Sequence, residues 1–141
     1  MWTYNNSPFK PENLDPKELY GFVYLITNIE TGKKYIGKKF FWSMKSKQVK
    51  GKKKRYKAES DWKDYFGSNS VLCEEVKTKG ENAFTREILH LCKSKSECAY
   101  FEAKEQFERD VILKQEYYND WIMVKVRRAH LNSLQTQKTV V

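Results

Sequence analysis

Cysteine is scarce in this chain: three residues, at positions 73, 92 and 98, form no CxxC pair and are odd in number. That excludes a disulfide framework and suits a reducing compartment. Histidine is rarer still, with only His90 and His130. His90, Cys92 and Cys98 supply three donors at a spacing unlike the usual zinc sites, and small thiols commonly serve as core filler, so no zinc centre is expected there. No apolar run approaches the roughly 20 residues that span a bilayer, and the first residues lack the basic start and apolar stretch of a signal peptide. A cytoplasmic protein with no membrane partner is the expectation. Proline is confined to positions 8, 11 and 16, and between Lys33 and Lys57 there is no Asp or Glu at all.

That acid-free stretch holds 12 Lys or Arg, much of the excess of 27 basic over 18 acidic residues that gives a formal net charge of +9. Such a balance points to a polyanionic partner. With 40% hydrophobic and 15% aromatic residues in 141, the chain has the means to bury one core, and its length suits one domain.

Three regions follow from the patterning. Residues 1–20 carry the prolines and no periodicity and read as an N-terminal arm, anchored by Trp2, Tyr4 and Phe9. Residues 21–131 form the domain proper, and 132–141 a polar, mobile tail. Within the domain, Gly21–Asn28 alternates aromatic and β-branched types, Glu30-Thr31-Gly32 supplies turn chemistry, and the run from Lys33 resumes extended character, so a β-hairpin is expected. Residues 38–57 read as a basic loop interleaved with aromatics. Ser60–Phe66 and the stretch from Gly67-Ser68 to Gly80 read as two short helical pieces. Ala83–Leu91 reads as a third strand, and Ser94-x-x-Glu97 as the capping box of a long helix that buries Tyr100, Ala103, Phe107 and Val111. Ile122, Val124 and Val126 alternate as a last short strand. The fold class is α+β, a small three-stranded antiparallel sheet flanked by helices, with an N-terminal arm.

The hairpin brings Tyr24 and Tyr35 onto adjacent strands beside the lysines. By residue type alone this is ordinary cross-strand packing. However, Gly21-Phe22-Val23-Tyr24, Asn28, Gly32-Lys33 and the unaltered Tyr35-Ile36-Gly37, in this order and spacing, resemble the first two strands of the GIY-YIG nuclease family. The lysine-rich insertion, Glu59–Trp62, Tyr65–Ser68 and Tyr117–Asn119 are similar to segments of a small, often phage-encoded group within it.

The resemblance implies the same small sheet and a metal-dependent endonuclease that hydrolyses DNA phosphodiesters by direct water attack. It implies Tyr24 as proton acceptor or relay, its pKa lowered by Lys38, Lys39 and the basic loop, and Tyr35 as the group positioning nucleophile or phosphate. It places Mg²⁺ or Mn²⁺ on one helix carboxylate, Glu102 in preference to Glu105, and gives Asn119 a supporting role. Where the family carries an arginine about ten residues after the YIG tyrosine, this chain has Lys45; Arg55, with Lys39 as a further phosphate contact, is the candidate replacement. The family's histidine has no counterpart, and Tyr65 or a lysine is the substitute. Lys45, Lys47, Lys50, Lys52, Lys53, Lys54 and Lys57 are the nucleic-acid-binding candidates. DNA is the implied partner, the host cytosol the implied location of a phage-encoded protein, and homo-oligomerisation or a protein partner stays open. The alternative is a catalytically altered GIY-YIG-like protein that binds nucleic acid without cutting it.

Overall fold

The computed structural model of the protein describes residues 1–134. Its centre is a five-stranded sheet in the order β2-β1-β7-β3-β4, formed by β1 (Trp2–Tyr4), β2 (Ser7–Pro8), β3 (Gly21–Asn28), β4 (Lys34–Phe40) and β7 (Phe84–Cys92). The expected three-stranded antiparallel unit, β4-β3-β7, is present. It is extended to five strands and made mixed by the opening segment, because β1 pairs parallel with β7. The cause is aromatic burial. Trp2 is 2% exposed, packs edge-on against Phe22 and Tyr24, and donates its indole N–H to the Trp62 carbonyl at 2.7 Å. A tryptophan so placed fixes the backbone of its neighbours where it can pair with β7.

The β3–β4 turn is as the sequence implies. Gly32 takes φ +75°, Asn28 and Lys33 close the hairpin N–H to carbonyl at 2.8 Å, and the Asn28 carboxamide oxygen accepts from Glu30 and Thr31. β3 is buried on both faces. Phe22, Tyr24 and Ile26 meet Trp2, Phe41, Trp62 and Leu72, whereas Val23 and Leu25 meet Ile36, Cys98 and Val111. Between Val23 and Tyr24 the pairing with β7 slips by one residue, leaving Leu89 as the extra residue of a bulge beside the tyrosine.

Four expectations are corrected. The basic segment is not a loop but a second, two-stranded sheet, β5 (Trp42–Val49) with β6 (Lys52–Glu59). Ser60–Phe66 contains a single 3-10 turn, Trp62–Asp64. Ile122–Val126 forms no strand; Tyr117 instead makes one parallel bridge to Lys34. In the long helix α2 (Lys95–Glu108), Cys98, Ala103 and Gln106 face the sheet, while Tyr100 and Phe107 are exposed. The sheet face above α2 presents Cys92, Val23 and Ile36, and the ring of α2 that packs against this cluster is Phe101 rather than Tyr100 or Phe107. The shorter helix α1 (Ser70–Lys79) is capped by Asn69, whose Oδ1 accepts from the Leu72 N–H at 3.0 Å. The expected mobile tail falls mostly on residues 135–141, outside the described residues.

Candidate active site

β4 is an edge strand, so side chains from both faces of the sheet can reach past it into one space. Tyr24 pairs with Gly37 and Ile26 with Tyr35, which makes the two tyrosines diagonal neighbours on the α1 face, ring centroids 6.1 Å apart. Lys38 points to the opposite face and meets Glu102 of α2, Nζ to Oε1 3.1 Å. A cleft of about 320 Å³ wraps the edge and is lined by Tyr35, Lys38, Ser68, Glu102, Asn119 and Asp120 among others.

The chain after α2 closes the far side. The Tyr118 N–H donates to the Lys34 carbonyl at 2.7 Å, which lays Tyr117–Asn119 along the open edge of β4. Asn119 then uses its whole amide on one residue: Oδ1 accepts from Ile36 N at 3.0 Å and Nδ2 donates to Ile36 O at 2.8 Å. Gln106 donates to the same carbonyl at 3.1 Å. Tyr118 is tied down by a short hydrogen bond to Glu75; burial together with that carboxylate raises its pKa to about 12.

The two tyrosines are in different surroundings. Tyr35 is half-buried, lines the cleft and shares a hydrogen bond with Ser68 at 3.2 Å. Tyr24 is 1% exposed, with Tyr65 edge-on at 6.0 Å between ring centroids. Burial, then the neighbouring Tyr65 and Tyr35, drive its pKa well above 10. The lowered pKa expected from nearby cations is therefore corrected: removal from water outweighs the lysines. Lys39 does not face Tyr24 directly. It sits over the Tyr65 ring at 4.1 Å and pairs with Asp61 at 2.6 Å.

Gly37 explains why a glycine ends the motif. A Cβ there would lie 2.6 Å from Tyr24 Cζ and 2.9 Å from Tyr35 Cε1, so only a hydrogen lets both rings lie on the strand.

Glu102 is not in an ordinary carboxylate's surroundings. Burial raises its pKa, and Lys38 offsets part of that rise. Glu105, the carboxylate not preferred, points elsewhere, between His90 at 2.8 Å and Arg109 at 2.9 Å. His90 also stacks on Phe101 at 4.5 Å, and among the described residues no three His, Cys, Asp or Glu gather as a metal site.

Of the candidates, the cleft thus brings together Tyr35, Glu102 and Asn119, with Tyr24 packed beneath Tyr35. Lys39 lies in an adjoining hollow with Trp42 and Lys45, and Lys38 lines both spaces. Arg55, Lys47, Lys50, Lys52, Lys53, Lys54 and Lys57 belong to the β5–β6 hairpin and its turn and do not line the cleft. Ser68, Asp120 and Trp121 line it and are absent from the candidates drawn from sequence. Ser68 was signalled by the Tyr65–Ser68 segment, whereas the other two carry no local pattern.

A family model described as "Putative endonuclease segE, GIY-YIG domain" matches residues 2–122. The chain belongs to the GIY-YIG family. In this GIY-YIG chain the match begins at Trp2, in agreement with a first strand that belongs to the sheet. A similar protein, "Putative endonuclease segE" of Enterobacteria phage T4, is 35% identical over 102 residues, 72% of this chain. The matched GIY-YIG region is 40% of that relative's length, so this chain spans well under half of it. No solved structure matches.

Proposed function

We propose that the protein is a metal-dependent DNA endonuclease acting in a bacterial host cytosol, with its site in the cleft at the edge of β4. The observation that carries the reading is the convergence of Tyr35, Lys38 and Glu102 on one polar cleft, beside a hairpin rich in lysine. The homologue's name and the family support the same class of activity.

Glu102 is the residue proposed to hold Mg²⁺ or Mn²⁺. It fits: a partly desolvated oxygen donor in an open polar cleft, with the Asp120 carboxylate on the same lining, is what an ion that keeps most of its waters requires. Such an ion, when bound, polarises the phosphate and stabilises the leaving oxygen. Tyr35 meets the substrate as a neutral phenol, orienting water or a phosphate oxygen through the hydroxyl it shares with Ser68. Tyr24, kept protonated by burial, is assigned the relay and support role beneath it, through Tyr65. Lys38 holds Glu102 until a phosphate is present and then has that phosphate as an alternative partner. Lys39, above Tyr65, and the hairpin lysines Lys45, Lys47, Lys52 and Lys54 are assigned to the DNA backbone, and Arg55 to contact with the duplex.

The test is nicking of supercoiled plasmid by the purified protein with Mg²⁺, Mn²⁺ or EDTA, comparing wild type, Glu102→Ala and Tyr35→Phe. Metal-dependent cleavage absent from Glu102→Ala is expected. Cleavage unaffected by Glu102→Ala would remove the site from β4. No cleavage at all, with tight salt-sensitive binding, would favour the scaffold that binds without cutting.

A further inference from the structure

The β5–β6 hairpin is anchored at its root, where Trp42 donates to the Leu19 carbonyl at 2.9 Å and Lys57 lies over the Tyr20 ring at 5.5 Å, and its strands beyond the root are uncovered. Along Met44–Gln48 and Lys52–Lys57 every residue is exposed. A free two-stranded hairpin is marginal in water, and this one opposes Lys47 to Lys54 across the strands with eight Lys or Arg and no acid between Trp42 and Ala58. What makes the shape definite is its tip. Lys50 and Gly51 take φ +52° and +77°, the two consecutive positive values of a tight turn matched to strand twist, which sets Val49 opposite Lys52 and every later pair in register.

That register sorts the side chains. Directly opposed residues share a face, so one face carries the pairs Lys45–Tyr56, Lys47–Lys54 and Val49–Lys52. The other carries Met44–Lys57, nearest the root, then Ser46–Arg55 and Gln48–Lys53. Arg55 and Gln48 are thus diagonal neighbours on one face. An arginine matches the O6/N7 edge of guanine, and a glutamine the N6/N7 edge of adenine. A two-stranded ribbon is an element the major groove admits, and eight residues at about 3.3 Å each run about 26 Å, or roughly seven to eight base pairs.

We propose that the β5–β6 ribbon is a sequence-reading element that enters the major groove of duplex DNA with the Ser46–Gln48–Lys53–Arg55 face toward the bases. The long lysines of the opposite face reach out to the phosphates on either side. The ribbon's root is Trp42 and Ser43, which line a hollow with Lys38, and Lys38 also lines the cleft. The read sequence therefore lies beside the proposed point of cleavage. The inference rests on the DNA-endonuclease reading above and adds to it the source of specificity.

The test uses the full chain carrying Glu102→Gln, so that binding is read without cleavage, and selection from a pool of random duplexes at fixed salt. The expected result is enrichment of a short motif containing guanine. Arg55→Ala is expected to lose about tenfold or more in preference at that guanine, while Lys47→Ala/Lys54→Ala weakens all duplexes alike and flattens the salt slope. Replacing that guanine by 7-deazaguanine, which removes only the major-groove N7, is expected to weaken the Arg55-containing protein and leave Arg55→Ala unchanged. Tight duplex binding with no enriched motif, or a motif unchanged by both Arg55→Ala and Gln48→Ala, would overturn the ribbon proposal and leave the endonuclease reading standing. Absence of any duplex binding would overturn both.

Discussion

Asn119 satisfies both backbone groups of Ile36 at once, accepting from its N–H at 3.0 Å and donating to its carbonyl at 2.8 Å. A carboxamide so placed imitates one residue of a further strand, and it does so between Tyr35 and Gly37. Asn119 is thereby a positioning residue, holding the strand that carries the tyrosine. Asn119→Ala leaves the Ile36 carbonyl with Gln106 but orphans the N–H, a loss of about 1–3 kcal/mol. Thermal denaturation should show that loss, and nicking should fall with it. Asn119→Asp retains the acceptor and lacks the donor, so it should lie between wild type and alanine; equal activity of all three would deny the edge its role.

Gly37→Ala places a methyl group against the Tyr24 ring, 2.6 Å from its Cζ. Tyr24 is enclosed by Trp2, Phe22 and Tyr65 and has nowhere to retreat, so a cost of about 1–3 kcal/mol is expected, together with displacement of Tyr35. Urea unfolding measures the first, and the rate of nicking at a temperature where the variant stays folded measures the second. An active, fully stable variant would mean that the rings are not held against the strand.

The raised pKa of Glu102 has opposite consequences for stability and for activity. Burial disfavours the ionised form in the folded chain, so the folded pKa exceeds the unfolded one. The stabilisation linked to the neutral form is complete below the unfolded value and is lost as pH rises through the folded value. At neutral pH the ionised carboxylate therefore detracts from stability, and Glu102→Gln is expected to melt at a higher temperature while losing metal-dependent nicking. Activity needs the carboxylate and should fall on acidification at a pH above the ordinary glutamate range. Lys38→Met removes the charge that holds this pKa down and should shift that acid limb to still higher pH. A limb that stays in place would separate Lys38 from Glu102.

Arg86 is a buried cation whose guanidinium donates to the Lys63 and Tyr65 carbonyls at 3.0 and 2.8 Å and lies between the rings of Trp2 and Phe66. It pins the segment leading to Ser68. Arg86→Met keeps much of the stem and leaves two carbonyls without their donor, a loss of about 2–4 kcal/mol by chemical denaturation. Arg86→Lys should recover only part, since one nitrogen serves both carbonyls but an ammonium lacks the flat face that stacks between the Trp2 and Phe66 rings.

Local chemistry made much of this molecule legible without coordinates. The β3–β4 hairpin follows from alternation and from the Asn28–Gly32 turn, and the start of α2 from Ser94 and Glu97, because each depends on hydrogen bonds between residues a few positions apart. The ribbon could have been read in the same way from the alternation around Lys50-Gly51, a turn whose signal the density of lysine obscured. Choosing Glu102 over Glu105 rests on the family pattern, since both are carboxylates of the same helix and neither lies on its main apolar stripe. Only the packed chain directs one into the cleft and the other to His90 and Arg109.

The sequence by itself determined the charge, the two tyrosine-bearing strands and the kinship with GIY-YIG proteins. Tertiary structure decided that Trp2 extends the sheet, that Tyr24 is too deeply buried to ionise readily, and that Asn119, 83 residues along the chain, returns to Ile36. The physical reason is range. Turn and strand patterns are set by neighbouring residues, whereas the burial of a ring and the closing of a sheet edge depend on which distant segment competes successfully with water for the same surface.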